Sequence, residues 1–191
     1  MKEFWLTKGP PLLCCLLPAV MLSCNRAEES VEYTPQEAGR LVIEELLSRP
    51  EFMMLSYQVP VTDQEPGINQ DSRVFGIHYA EACAGFGAVR LAGALKDSAL
   101  LIRLAQRYAI ARTDSVPNSA NHVDVNVYGI LPLELYRVGM GEEFLEQGMK
   151  YANGQWEDQL PGGLTRQVRY WIDDIWMIAA LQVQAYRVVE K

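Results

Sequence analysis

The chain holds only two histidines and four cysteines in 191 residues, and where they fall excludes much. Cys14 and Cys15 lie in an N-terminal apolar segment and Cys24 just after it, so Cys83 is the one cysteine of the remaining chain. With Cys14 and Cys15 removed in that segment and Cys24 lipidated, as read below, no intrachain disulfide is expected to staple the fold, and stability has to come from packing. Cys83 sits among alanines and glycines and reads as a small core residue. No His/Cys/Glu cluster has metal-ligand spacing, no glycine loop precedes a helix as a phosphate cradle requires, and no nucleophile elbow is present. Neither a metal nor a cofactor is expected. Positive charge is scarce too: 17 Lys and Arg face 24 Asp and Glu, a formal charge of −7. Nucleic acid is therefore not an expected partner, since phosphate binding needs a basic face. A long polyanion would also be repelled, although local arginines could hold a single carboxylate. Strand-like alternation long enough to trust is missing.

What is present begins with a targeting segment over residues 1–23. Lys2 and Lys8 precede an apolar stretch, Leu12 to Leu22, that is too short to span a membrane comfortably. Met21-Leu22-Ser23-Cys24 resembles a bacterial lipoprotein signal, in which Cys24 becomes the lipidated N-terminus after cleavage. An ordinary secretory signal cut nearby is the competing reading. The expectation is an exported chain, periplasmic or an outer-membrane lipoprotein, that meets the membrane through its lipid anchor only. Residues 24–33 are polar and acidic and read as a tether, followed by one domain over 34–191.

Within that domain the apolar spacing is helical. Thr34-Pro35-Gln36-Glu37 is a helix start, with Thr34 as N-cap and Glu37 closing a capping box. Ala38, Leu41, Val42 and Leu46 then recur at helical spacing, and Arg49-Pro50 ends the helix. Residues 51–72 read as a long loop able to cover a cleft. A second helix is predicted from about Val74 to Leu95, with Ala80, Ala84, Gly85, Gly87, Ala88 and Ala92 as small buried positions. A third follows Asp97 as cap. Its stripe is Leu100, Leu101, Leu104, Ala105, Tyr108 and Ala109, while Arg103, Gln106 and Arg107 face water. After a loop over 113–124 comes a fourth helix, Tyr128 to Val138, whose Pro132 puts the regular start near Gly129. A fifth runs from Glu142 to Tyr151. Alternating interior and exterior helices are the expected arrangement.

The sixth helix opens on Arg169-Tyr170-Trp171-Ile172-Asp173-Asp174-Ile175-Trp176-Met177. Two adjacent acids lie within a run of aromatic and aliphatic residues, and charged groups are rarely buried without a partner or a task. The apolar pattern continues to Val189 on nearly every side, as in an interior helix. The acids then sit in its first turn, either as a dipole-favoured cap or as carboxylates held for chemistry. The interval from Asp124 to Asp173 equals that from Tyr79 to Tyr128 and that from Tyr128 to Met177. If this period reflects a repeated helical hairpin, Asp124 and Asp173 share one end of successive inner helices.

Asn121-His122-Val123-Asp124-Val125-Asn126, Tyr128-Gly129-Ile130-Leu131-Pro132 and Trp171-Ile172-Asp173-Asp174 with Met177 resemble the unsaturated glycuronyl hydrolases of glycoside hydrolase families 88 and 105, most of all the unsaturated rhamnogalacturonyl hydrolases. The resemblance runs from about residue 36 to the C-terminus. It implies an all-α fold, a partial (α/α)6 barrel of helical hairpins amounting to the N-terminal half of the family's ring. It also implies hydration of the C4=C5 double bond of the unsaturated uronic acid that lyases leave at the non-reducing end of pectin- or rhamnogalacturonan-type oligosaccharides. Unsaturated glucuronyl oligosaccharides are the alternative substrate class.

In that scheme Asp173 matches the general acid/base and Asp124 the second carboxylate, holding sugar hydroxyls or water. Trp171 and Trp176 would desolvate Asp173, with Trp171 favoured for the site and Trp176 for packing. Asp174 reads as a structural partner or cap. His122 and Tyr128 are candidate substrate-binding residues, with His122 also readable as structural; His78 is a weaker candidate. Arg166 and Arg169 are candidates for the substrate carboxylate or plain surface charge. Half the family's hairpins are absent from the chain. A truncated gene product is the preferred explanation, ahead of a fragment completed by a second chain or a half-barrel that dimerises, and exposed inner faces would favour association. The alternative function is a catalytically inactive glycan-binding or helical-repeat fragment.

Overall fold

Thr34 starts the first helix where the capping box was expected. Its Oγ1 accepts from the Glu37 amide at 3.2 Å, and the Glu37 carboxylate accepts from the Thr34 amide at 2.9 Å. The resulting helix, α1 (Pro35–Ser48), has Pro35 in its first turn, where the missing N–H costs nothing. The computed structural model describes residues 32–58, 73–112, 116–118 and 121–190, so the expected signal segment and Cys24 lie outside the described residues. The fold is mostly helical, all-α at the coarse level, with one small sheet.

That sheet corrects the sequence reading. β1 (Met54–Gln58) pairs antiparallel with β2 (Arg73–Ile77), Tyr57 standing opposite Val74. The first strand lies in the expected loop and the second takes the first residues of the expected second helix. Val74 is buried with Val125, and Leu55 and Tyr57 pack on them. Burial against a neighbouring element, not local alternation, fixes these short strands. Residues 59–72, the rest of the expected loop, lie outside the described residues.

α2 (Tyr79–Ala94) therefore starts after His78, whose Nδ1 accepts from the Ala80 amide at 3.0 Å as an N-cap. α3 (Ser98–Ala109) is capped by Asp97 as expected, with Leu100, Leu101, Leu104 and Tyr108 buried. Arg107 does not face water. Its guanidinium is buried against Glu81, 3.0 Å away, and also donates to the carbonyls of Arg49 and Glu51. An arginine at the edge of an amphipathic stripe can reach back under it when a buried acid is waiting.

The fourth predicted helix is in three parts. α4 (Val123–Asn126) gives one turn, Val127–Gly129 is a tighter 3-10 turn, and α5 (Ile130–Arg137) follows. Pro132 has no N–H for the Tyr128 carbonyl and its ring crowds that carbonyl, so the regular ladder cannot run through Tyr128. Asp124 thus lies inside a first helical turn, not before the helix. α6 (Glu142–Gly154) runs one turn past the expected end, and α7 (Ile172–Val189) completes the set.

α2, α5 and α7 lie side by side, with α1 and α3 packed outside α2 and α6 outside α5 and α7. The three inner helices run parallel. At one end the Ile77 amide donates to Asn118 Oδ1 at 3.0 Å, and Asn118 Nδ2 donates to the Val125 carbonyl at 3.3 Å. At the other end the fully buried Glu134 of α5 accepts from Gln184 of α7 at 2.6 Å and lies 3.6 Å from Arg90 of α2. The equal intervals noted above thus fall on the openings of successive inner helices, although Tyr79 is exposed while Tyr128 and Met177 are buried. Three faces differ from expectation. In α1 the buried residue is Ile43, leaving Ala38, Leu41 and Val42 exposed. In α2, Ala84 and Gly87 are exposed and Ala80 half-buried. α7 buries Met177, Leu181, Ala185 and Val188 but leaves its opposite apolar face open.

α5 and α6 cross through two glycines. A Cβ on Gly148 would stand 2.4 Å from Leu133 Cγ and 3.1 Å from the Gly129 carbonyl, while one on Gly87 meets nothing within 4 Å. Gly148→Ala is expected to lower stability by about 1–3 kcal/mol through overpacking. Gly87→Ala, in an open mid-helix position, should raise it by about 0.5–1 kcal/mol. Urea unfolding of the two variants checks both signs; a tolerated Gly148→Ala would contradict the close crossing.

Candidate functional site

Arg169 is the residue on which the predicted site residues meet. Its side chain is largely buried and makes four hydrogen bonds to two carboxylates. Nη1 and Nη2 reach Asp124 Oδ2 and Oδ1 at 3.2 and 3.1 Å, a two-pronged pair, and Nε and Nη2 reach Asp174 Oδ1 at 3.0 and 2.7 Å. Asp173 Oδ2 lies 4.0 Å from the same Nη2. The openings of α4 and α7 are thus held together by one guanidinium, with all three acids on one side of the fold.

Local chain geometry aims it. Tyr170 has a positive φ of 62°, a left-handed conformation that costs a non-glycine residue on the order of 1 kcal/mol. This turn folds the segment back on α7. Both the Arg169 amide and the Trp171 amide (3.3 Å) then donate to Asp174 Oδ2. Asp174 is fully buried and serves as the cap and structural partner expected of it. Burial opposes the charge on Arg169, but the hydrogen bonds it donates to Asp174 and Asp124, with the charges of those two carboxylates, outweigh it and hold the guanidinium protonated. The Trp171 ring lies against that cation, centroid to Cζ 4.5 Å.

On the far side of Asp124 stand His122 and Tyr57. The Asp124 amide donates to His122 Nδ1 at 3.2 Å, so the neutral ring carries its proton on Nε2. That Nε2–H faces Tyr57 Oη at 3.1 Å, and the Tyr57 hydroxyl in turn donates to Asp124 Oδ2 at 2.7 Å. Burial pushes His122 below its ordinary value of 6.5; Arg169 adds to this, Asp124 and Asp174 oppose it, and the neutral form wins. Burial and the Asp124 carboxylate push the Tyr57 phenol well up, so it remains a donor.

The cluster brings together Asp124, Asp173, His122, Trp171 and Arg169. It does not include Tyr128, whose ring is fully buried in the core against Tyr151 and whose Oη has no hydrogen-bond partner among the described residues. As a substrate contact Tyr128 is corrected: the 3-10 turn forced by Pro132 carries its side chain inward. Arg169 is committed to protein carboxylates and is not free to take a substrate carboxylate, while Arg166 pairs with Asp158 at 2.9 Å. Asp173 is 48% exposed at its side chain. Trp171 and Trp176 are themselves about half exposed, so the expected desolvation of Asp173 by the two rings is not realised. His78 caps α2 and takes no part.

Sequence reasoning missed Tyr57. Its signal was weak: Leu55-Ser56-Tyr57 alternates over three residues only, its partner run Val74-Phe75-Gly76 does not alternate, and the two are too far apart to mark a tight hairpin. No known protein family, curated protein or solved structure matches this chain.

The His122 arrangement carries a pH dependence. An unfolded chain takes up a proton on His122 near pH 6.5, while the folded chain resists it to lower pH. The folded state therefore has its full stability above that value and loses it as pH falls below. His122→Asn keeps a capping acceptor without the titrating ring. Urea midpoints at pH 7.5 and 5.5 should drop more in the parent chain than in the variant; equal drops would contradict a neutral buried His122.

Proposed function

We propose that this chain carries the acid/base centre of a glycoside hydrolase acting on the 4,5-unsaturated uronic acid at the non-reducing end of lyase-generated oligosaccharides, of pectin or rhamnogalacturonan type, within a partial (α/α)6 barrel. One observation carries the reading: two carboxylates of different accessibility share one guanidinium at the openings of two neighbouring inner helices. Asp124 has both oxygens engaged and is largely buried, whereas Asp173 presents its carboxyl to solvent. A hydration reaction needs that division, with one group free to move a proton and one held to position what is attacked.

In this reaction Asp173 gives its proton to C4. The C4=C5 π electrons form the new C–H bond, and the positive charge left at C5 is shared with the ring oxygen. Water adds at C5 and returns a proton to the Asp173 carboxylate. The hemiketal then opens at the C5–ring-oxygen bond, and the hemiacetal left at C1 collapses to an aldehyde, releasing the leaving sugar as an alcohol. Asp124, fixed by Arg169 and Tyr57, orients a sugar hydroxyl or the water. Because C5 and not the anomeric carbon is attacked, carboxylate separation carries no stereochemical rule here. The exposed Trp171 ring offers a surface for a sugar ring. The same reading makes the protein an exported lipoprotein anchored through Cys24.

Loss of the ultraviolet absorbance of unsaturated disaccharides follows the reaction directly. The folded chain should bleach them, and Asp173→Asn should reduce the rate by about 10²–10⁴-fold without shifting the melting temperature, since Asp173 is half exposed. A folded chain that leaves the absorbance unchanged, or an Asp173→Asn variant as active as the parent, would overturn the reading.

A further inference from the structure

His122 joins two elements only while its ring is neutral. Nδ1 accepts from the Asp124 amide at 3.2 Å and so caps α4, and Nε2–H faces the Tyr57 hydroxyl at 3.1 Å. A second proton goes to Nδ1 and turns that acceptor into a donor aimed at an N–H. An acceptor is within reach, since Asp124 Oδ2 lies 3.9 Å from Nδ1. A small turn of the ring brings the two together and breaks the cap.

That oxygen is already engaged. It accepts from the Tyr57 hydroxyl at 2.7 Å and from Arg169 Nη1 at 3.2 Å, which uses both its lone pairs. A third donor has to displace one of the two. Arg169 is charged and grips Asp124 through two nitrogens, whereas the phenol is neutral and makes one bond. Charge-assisted, two-pronged bonds are the stronger kind, so the phenol is the donor that leaves. Burial opposes the imidazolium most. Among the described residues Asp124 of α4 favours it, Arg169 ahead of α7 opposes it and Asp174 of α7 favours it. Tyr57 of β1 brings no charge, because its phenol is pushed well up.

The β1–β2 hairpin is held unevenly. Ile77 and Met54, at its base, pack into the main core. Further out, Val74 is buried with Val125 in a small separate cluster on which Leu55 and Tyr57 pack. The Tyr57 hydroxyl ties this outer part to α4.

We propose that His122 is a proton switch on this hairpin. Neutral, it caps α4 and leaves Asp124 to Tyr57; charged, it takes Asp124 Oδ2, frees the phenol and lets the outer part of the hairpin open. One proton passes from solvent to Nδ1, and no bond between heavy atoms is made or broken. The docked hairpin and the added proton exclude each other, so each weakens the other by the same factor. The switch sets how firmly Asp124 is held, and it does not depend on which reaction that carboxylate serves.

NMR of the full chain with labelled imidazoles follows both halves of the switch. Two histidines give two ring signals, and His122 is the one missing from His122→Asn. The pH is lowered from 7.5 until that ring titrates. Over this range hydrogen-exchange protection of the outer strand amides, residues 56–58 and 73–75, should fall by about tenfold to a hundredfold, the effect of losing one hydrogen bond to a charged group. Amides of α3 should keep theirs. His122→Asn should hold its hairpin protection throughout. Tyr57→Phe lacks the tie at every pH, so its hairpin should be weakly protected already at pH 7.5 and its His122 ring should titrate at a higher pH than the parent's. The parent and His122→Asn decide the matter even if Tyr57→Phe does not fold. A ring that stays neutral until the whole chain unfolds, hairpin protection that is unchanged as the ring titrates, or an equal fall in His122→Asn would overturn the proposal.

Discussion

One guanidinium inside a ring of carboxylates is the constraint on which the α4 and α7 openings of this fold depend. Two buried acids, Asp124 and Asp174, would repel each other across the openings of α4 and α7 if Arg169 did not lie between them. Placing three charges out of water is costly, and the cost is offset only by close geometry and a full set of hydrogen bonds. The structure supplies both. The guanidinium fork meets Asp124 with two nitrogens, backbone amides complete the shell of Asp174, and the N-terminal end of α7 favours negative charge beside it. Tyr57 and His122 finish the shell of Asp124 from the β-hairpin and the preceding loop. The cluster consequently ties together β1, α4 and α7.

Another buried acid pins the opposite end of the helix row. Glu134 accepts from Gln184, pairs with Arg137 at 2.6 Å and lies near Arg90. Between the two polar ends the core is apolar, and the α5–α6 crossing is set by glycines. With both ends fixed, the inner helices hold a common direction. Asp173 is the exception in that cluster. It stands at the edge of the cluster, half in solvent, 4.0 Å from the Arg169 guanidinium.

Much of this was legible in the sequence where local chemistry decides structure. The Thr34–Glu37 capping box, the Asp97 cap, the amphipathic stripe of α3 and the acid pair opening α7 were all readable from short-range spacing. The meeting of Asp124 and Asp173 at one end was foreshadowed by equal intervals along the chain. What could not be read depended on partners distant in sequence. The strands of the hairpin form because Val74 and Tyr57 pack on Val125; Arg107 turns inward because Glu81 lies under it; Tyr128 is buried because Pro132 tightens the turn before α5. The rotation of α1 is the clearest case. Ala38, Leu41 and Val42 have helical spacing, yet Ile43 is the residue that α2 and α3 cover, so periodicity located the helix without locating its buried face.

A double-mutant cycle on Arg169 and Asp124 tests the central claim most directly, by comparing urea unfolding of the parent, Arg169→Met, Asp124→Asn and the double variant. If the guanidinium and this carboxylate act as one unit, the single changes should be strongly non-additive, with a coupling energy on the order of 2 kcal/mol. Effects that add to within about 0.5 kcal/mol would show that the two side chains are merely neighbours, and the clasp that positions the carboxylate end would not exist.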